Sequence, residues 1–205
     1  TTGRFALADE YTAKALQLRE EKLGNTNMAV AASLNNYAVL HYNLGKYNES
    51  EKEFNDAIAV IKTNKLQEAM PYAIVLNNQA MLYQSMGNYE AAVKVLLQAM
   101  TLSAKLESAK ARNQLKFLSN LALLYQQMGK YAEAEKIYLE LDKKLDKGKP
   151  EQANMLNNYA ILSLLMKKED KVESMLKQST GIYKSSMGES SPAYAKVISD
   201  LGNFY

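Results

Sequence analysis

The sequence contains no cysteine, and among its 205 residues it has one histidine, three prolines and nine glycines. Without thiols there are no disulfides, thiolate metal sites or cysteine nucleophiles. A single histidine, His41, excludes a multi-histidine metal site and a histidine pair for acid and base work. Scarce glycine and proline remove the punctuation that short strands and tight hairpins need, which points to long helices. No apolar run approaches the roughly 18 residues of a membrane span, and Thr1 opens no signal peptide. The chain therefore reads as soluble, without membrane insertion, and no compartment is written in it. A formal charge of +3 is too small to imply nucleic acid. What is present, 47% apolar and 23% charged residues, suits a globular chain of one or two domains.

One motif recurs along the whole length. Leu34-Asn35-Asn36-Tyr37-Ala38, Leu76-Asn77-Asn78-Gln79-Ala80, Leu118-Ser119-Asn120-Leu121-Ala122 and Leu156-Asn157-Asn158-Tyr159-Ala160 are copies, with Ser199-Asp200-Leu201-Gly202 as a fifth. Their second polar residues stand at 36, 78, 120, 158 and 200, in steps of 42, 42, 38 and 42 residues. Gly45, Gly87 and Gly129 follow at a fixed distance, each ahead of a tyrosine, and the same phase projected backwards reaches Gly3 and Phe5. The fourth copy breaks the pattern with Lys167 and Glu169. Each unit predicts two helices of about 17 residues, roughly 25 Å each. In the first, Leu34, Tyr37, Ala38, His41 and Leu44 have the spacing of a buried stripe, and Gly45 supplies a left-handed stop. The second starts near Tyr47 and is predicted to bury Ser50, Phe54, Ala57 and Ile61. Pro71, Pro150 and Pro192 mark starts of first helices, with Ser191 capping the last.

These residues resemble the tetratricopeptide repeat, whose pattern fits Leu76, Gln79, Ala80, Tyr83, Ala92 and Leu96. The 42-residue period and the stretch from Leu118 to Glu135 are similar to the kinesin-light-chain type of that repeat. The resemblance implies an all-α, right-handed superhelical solenoid of antiparallel helix pairs. It would comprise a half repeat (1–24), repeats at 28–66, 70–108, 111–147 and 150–188, the last divergent, and a second half repeat (191–205). It also implies that first helices line a concave side where such proteins hold an extended peptide or a protein partner.

On a helical wheel, Asn35, Asn36, Val39, Tyr42 and Asn43 lie opposite the buried stripe. Their equivalents are Asn77, Asn78, Met81 and Gln84, then Lys116, Asn120, Leu123 and Gln126, then Asn157, Asn158 and Ile161. These form the candidate groove. Met28 to Leu44 and Met70 to Met86 contain no Asp, Glu, Lys or Arg. The asparagines offer donors and acceptors suited to a peptide backbone, or else bond neighbouring helices. The row Val39, Met81, Leu123 and Ile161 either faces a ligand or is covered between adjacent first helices. Lys116 and Lys196, two repeats apart with Asp200 beside the second, do not make a carboxylate clamp.

Other constellations carry no chemistry in the sequence. His41 stands where later copies have Tyr83 and Tyr125, and reads as a packing residue without a base or nucleophile partner. Glu49 with Glu53 and Glu133 with Glu135 read as solvated second-helix carboxylates, not metal ligands. Lys143, Lys144, Lys147 and Lys149 are interrupted by Asp142 and Asp146 and read as a solvated loop. Ser50 of Asn48-Glu49-Ser50 is a packing position, which argues against a glycosylation site. The expected function is a peptide-binding scaffold, without catalysis, cofactor or metal, trimmed from a longer protein. Two rivals are head-to-tail self-assembly, through Phe5 at one end and Ile198, Leu201 and Tyr205 at the other, and the regulatory arm of a larger enzyme.

Overall fold

The computed structural model describes residues 2–106 and 110–205, with side chains described for 5–106 and 113–205. Thr1 and the predicted end of the second repeat at residue 108 lie outside the described residues. Ten helices and no strand occur among those described: α1 (Thr2–Leu23), α2 (Met28–Asn43), α3 (Tyr47–Thr63), α4 (Met70–Ser85), α5 (Tyr89–Lys105), α6 (Lys110–Gln127), α7 (Tyr131–Lys144), α8 (Pro150–Leu165), α9 (Val172–Met187) and α10 (Pro192–Phe204). Gly3, at the backward projection of the glycine phase, lies inside α1.

The turn inside each pair is set locally. Gly45, Gly87 and Gly129 take φ of 74°, 75° and 73°. That left-handed residue lets the next amide reach back across the last turn: Lys46 N–H to His41 C=O at 2.9 Å, Asn88 to Tyr83 at 2.8 Å and Lys130 to Tyr125 at 2.9 Å. The fourth repeat keeps the same wrap without glycine. Lys168 N–H reaches Ser163 C=O at 2.8 Å because Lys167 itself adopts φ 59°, a conformation that costs a side-chain-bearing residue about 1–2 kcal/mol. At the other helix ends, Pro71, Pro150 and Pro192 occupy first turns, and Ser191 Oγ accepts from Tyr194 N–H at 3.2 Å.

The contacts group the chain into two compact units, Thr1–Phe117 and Leu118–Tyr205. In the first, α2 pairs with α3 and α4 with α5, while α1 packs on α2 and α3 on α4. In the second, α7 packs on α8, α8 pairs with α9, and α10 packs on α9. The second helices carry the anchors at one register: Phe54, Leu96, Tyr138 and Leu176 are all buried. Each such side chain contributes about 1.5–3 kcal/mol by leaving water. Fully buried Ala57 and Ala99 one turn on leave room for the facing helix. Two buried serines bond to that facing helix, Ser50 Oγ to Ala38 C=O at 2.8 Å and Ser179 Oγ to Ala153 C=O at 2.7 Å. Among the described residues no helix is long and apolar enough to cross a membrane.

Candidate binding face

In the first unit, α2 and α4 lie side by side, and two hydrogen-bonded rungs tie them. Asn78 Nδ2 donates to Asn35 Oδ1 at 3.0 Å, and Tyr42 Oη meets Ser85 Oγ at 3.1 Å. Both rungs join residues 43 apart, one more than the repeat period. They stand seven residues apart along each helix, roughly 10 Å, and Val39 and Met81 fall between them, half-buried. The amides also chain along the helix: Asn77 Nδ2 donates to Asn78 Oδ1 at 3.3 Å and Asn35 Nδ2 to Asn36 Oδ1 at 3.5 Å. The second unit repeats the first rung with a carboxylate, Asn157 Nδ2 donating to Asp200 Oδ2 at 2.9 Å.

The predicted groove residues separate by exposure. Asn36, Asn43 and Lys116 are exposed, and Asn35, Val39, Tyr42, Asn78, Met81, Gln84, Asn120, Leu123, Asn158 and Ile161 are half-buried. Three are corrected. Asn77 and Asn157 are each 1% exposed, and Gln126 is buried too, so none presents a surface to a ligand. Asn35 and Asn157, the first residues of their pairs, point sideways toward the next first helix, as their rungs show, whereas a helical wheel marks only inward and outward. Gln126 turns inward because the buried Tyr138 hydroxyl donates to its Oε1 at 3.1 Å. Had the tyrosine at the Phe54 register been weighed as a buried donor in need of an acceptor, the sequence would have shown this.

Beside Asn36 the face runs into a cleft of about 320 Å³, lined by Tyr11, Thr12, Ala15 and Arg19 of α1 with Ser33 and Asn36 of α2. The Arg19 guanidinium donates to Ser33 Oγ across it. Ile74 of α4 is exposed on the same side as Asn78. No Asp, Glu, Lys or Arg belongs to α2 or α4, so the side chains these two helices present are amides, hydroxyls and apolar groups.

On the opposite side a second feature escaped the sequence. Glu53 is buried, not solvated, and its Oε1 lies 2.8 Å from Nδ1 of His41, which has partners after all. A carboxylate also ties consecutive repeats. Asp9 takes Lys46 Nζ at 2.6 Å and the Tyr37 hydroxyl, Glu51 takes the Tyr83 hydroxyl, and Glu135 takes Lys168 Nζ at 2.8 Å and the Tyr159 hydroxyl. Burial raises the Tyr37 hydroxyl to about 12, with Asp9 adding to the shift. Glu133 stays exposed, while Glu135 is half-buried in this clamp. Lys144 pairs with Glu140 at 2.6 Å within α7, and Lys147, in the exposed turn after it, pairs with Asp142 at 2.8 Å. At the chain's end, Leu201 is not open. It packs with Phe204 on Ala160, Val172 and Leu176, while Ile198 and Tyr205 remain exposed.

Helix pairs repeated at one register, with rungs between neighbouring first helices inside each unit, define a helical-repeat fold. The tetratricopeptide repeat family model matches residues 1–63 and 71–141. The chain belongs to the tetratricopeptide repeat family. No curated protein matches it. Solved structures share the fold. BtubC (BKLC) from P. vanneervenii aligns at TM-score 0.75 and 20% identity over 98% of this chain and 81% of that one. The nearly identical TPR-like repeats of a Podosopora anserina kinesin-light-chain candidate align at 0.69 and 19% identity, over 91% and 90%. The TPR2AB domain of yeast Sti1, in a complex with pHSP90, aligns at 0.50 and 12% identity, over 99% and 80%.

Proposed function

We propose that this chain is a non-catalytic interaction scaffold whose first unit takes an extended, uncharged peptide segment along α2 and α4. The observation that carries the reading is the absence of charge from both helices, together with rungs that hold them at fixed spacing. Between the rungs, Val39 and Met81 offer an apolar strip, and exposed Asn36 and Asn43 stand ready to pair with peptide N–H and C=O groups. The rungs occupy Asn35 and Asn78, so these two position the face, and binding falls to Asn36, Val39, Asn43 and Met81. A member of the same family, the Sti1 domain, is caught with a protein partner, which supports the general mode and not the ligand. The direct test is fluorescence polarisation with labelled ten-residue peptides, one set neutral, one acidic and one basic. The neutral set should bind best, and Val39→Glu should abolish that binding while leaving the helical signal intact. Preference for a charged set, or neutral binding that survives Val39→Glu, would defeat the reading.

A second copy of the chain is the other partner that the surface favours. Leu7, Tyr11 and Leu18 are exposed on α1, and Ile198 and Tyr205 at the α10 end. Because Leu201 belongs to the core of its own unit, the change that probes this is Ile198→Glu. It should reduce concentration-dependent association in sedimentation, and a monomer at all concentrations would exclude self-association.

A further inference from the structure

Repeat 1 departs from its sister repeats at two buried positions at once. Where Tyr83 and Tyr125 stand it has His41, 5% exposed, and where Val95 and Ile137 stand it has Glu53, 8% exposed. These two meet through Nδ1 and Oε1, 2.8 Å apart but too poorly aligned for a directed hydrogen bond, and Glu53 Oε2 is buried without a hydrogen-bond partner. On the other edge of the ring, Nε2 lies 3.2 Å from Asp9 Oδ1 of α1. The groups that face His41 are therefore Asp9 from α1, Tyr37 tilted against the ring within α2 at 4.3 Å between centroids, and Glu53 from α3. Lys46, from the turn between α2 and α3, holds the second oxygen of Asp9 at 2.6 Å. Glu49 and Lys52 add charge just beyond.

Both ring nitrogens thus face a carboxylate oxygen. A neutral imidazole has one N–H, so it can satisfy one carboxylate and must turn a lone pair on the other. The imidazolium turns an N–H and its positive charge toward each. We infer that His41 is a proton-operated latch, holding α1 against the α2–α3 pair while the ring carries its second proton and releasing it when that proton is lost. Glu53 is fixed by α3, which is locked to α2 through Phe54 and the Ser50 bond to Ala38. Asp9 is the member that can shift, held then only by Lys46 and the Tyr37 hydroxyl, and α1 loosens with it. Since α1 supplies Tyr11, Thr12, Ala15 and Arg19 to the cleft beside Asn36, release of the latch takes that cleft apart, whatever binds there.

The neighbouring carboxylates are shifted in opposite directions. Burial pushes the Glu53 carboxyl up. Its contribution is thus fully present at low pH and fades as pH rises through the folded-state value. Asp9 is held below the usual carboxylate range, chiefly by Lys46 and then by Tyr37. Its contribution persists until pH falls through that lowered value. The alkaline limit of the latch is set by the ring itself, because it opens when the imidazolium loses the proton that faces the second carboxylate.

Because the chain has one histidine, one set of imidazole signals reports the ring without assignment. The experiment follows those signals by NMR, together with amide exchange of the whole chain corrected for intrinsic rates, from about pH 5 to about pH 8. As the ring loses its proton, amides between residues 8 and 20 should exchange about tenfold faster relative to those of α5, the loss expected for one charge-assisted hydrogen bond. His41→Tyr, the residue of the sister repeats, should flatten this dependence. Asp9→Asn, at a quarter-exposed position, should flatten it without disturbing α2 and α3. Constant α1 protection across the imidazole titration would overturn the latch, as would an unchanged pH dependence in either variant.

Discussion

The two units build the same rung from different chemistry. In the first, an amide donates to an amide, Asn78 to Asn35 at 3.0 Å; in the second, an amide donates to a carboxylate, Asn157 to Asp200 at 2.9 Å. Lys196 Nζ approaches that carboxylate at 3.6 Å. Both rungs join residues 43 apart, so the stacking of neighbouring first helices requires a donor and an acceptor at this place and leaves their charge open. The first helices of repeats 1 and 2 keep charge out, and α8 and α10 of the second unit do not. The neutral face is therefore a local property of α2 and α4, not a by-product of the repeat.

That comparison can be broken most sharply at Asp200. Asn157 is 1% exposed and its Oδ1 already has no hydrogen-bond partner. Asp200→Ala strands the amide as well and should cost about 2 kcal/mol in urea denaturation. Asn78→Ala removes a neutral bond between half-buried groups that water can reach, and should cost about 1 kcal/mol. Equal costs would mean that the carboxylate adds nothing to the rung.

The turns offer a smaller contrast of opposite signs. Gly87→Ala puts a side chain at φ 75° and should destabilise by about 1 kcal/mol, whereas Lys167→Gly relieves one at φ 59° and should stabilise by a similar amount. Thermal melts of the two variants should shift in opposite directions. Smallest of all is the salt effect. Lys196 is more than half exposed, so Lys196→Gln should change stability by less than about 0.5 kcal/mol, and only at low ionic strength. A larger change would make Lys196 part of the rung.

Much of the fold was legible because it rests on features that repeat. The 42-residue phase, the three glycines, the prolines in first turns and the register of Phe54, Leu96 and Tyr138 are each visible in the letters, and each has a local physical cause. The face was legible in part. Inward and outward sides of α2 follow from 100° per residue, which placed Asn36, Val39 and Met81 away from the pair's own core. Lateral neighbours do not follow from it. Whether Asn77 points at solvent or at the adjacent helix depends on how the repeats stack, and Gln126 depends on a hydroxyl twelve residues away. Glu53 was missed for a different reason. It looks like one more charge on a polar second helix until it is aligned with Val95 and Ile137, its apolar equivalents. A buried histidine and a buried glutamate at matched positions of one repeat are a pair that such an alignment reveals.

The central claim, that the neutral face of α2 and α4 is where a peptide lies, is tested most directly by NMR of side-chain amides and methionine methyls during titration with a neutral ten-residue peptide. The account predicts that the Asn36 and Asn43 amides and the Met81 methyl shift together and saturate, while the buried amides of Asn77 and Asn157 stay in place. Perturbations confined to the second helices, Tyr47–Thr63 and Tyr89–Lys105, would contradict it.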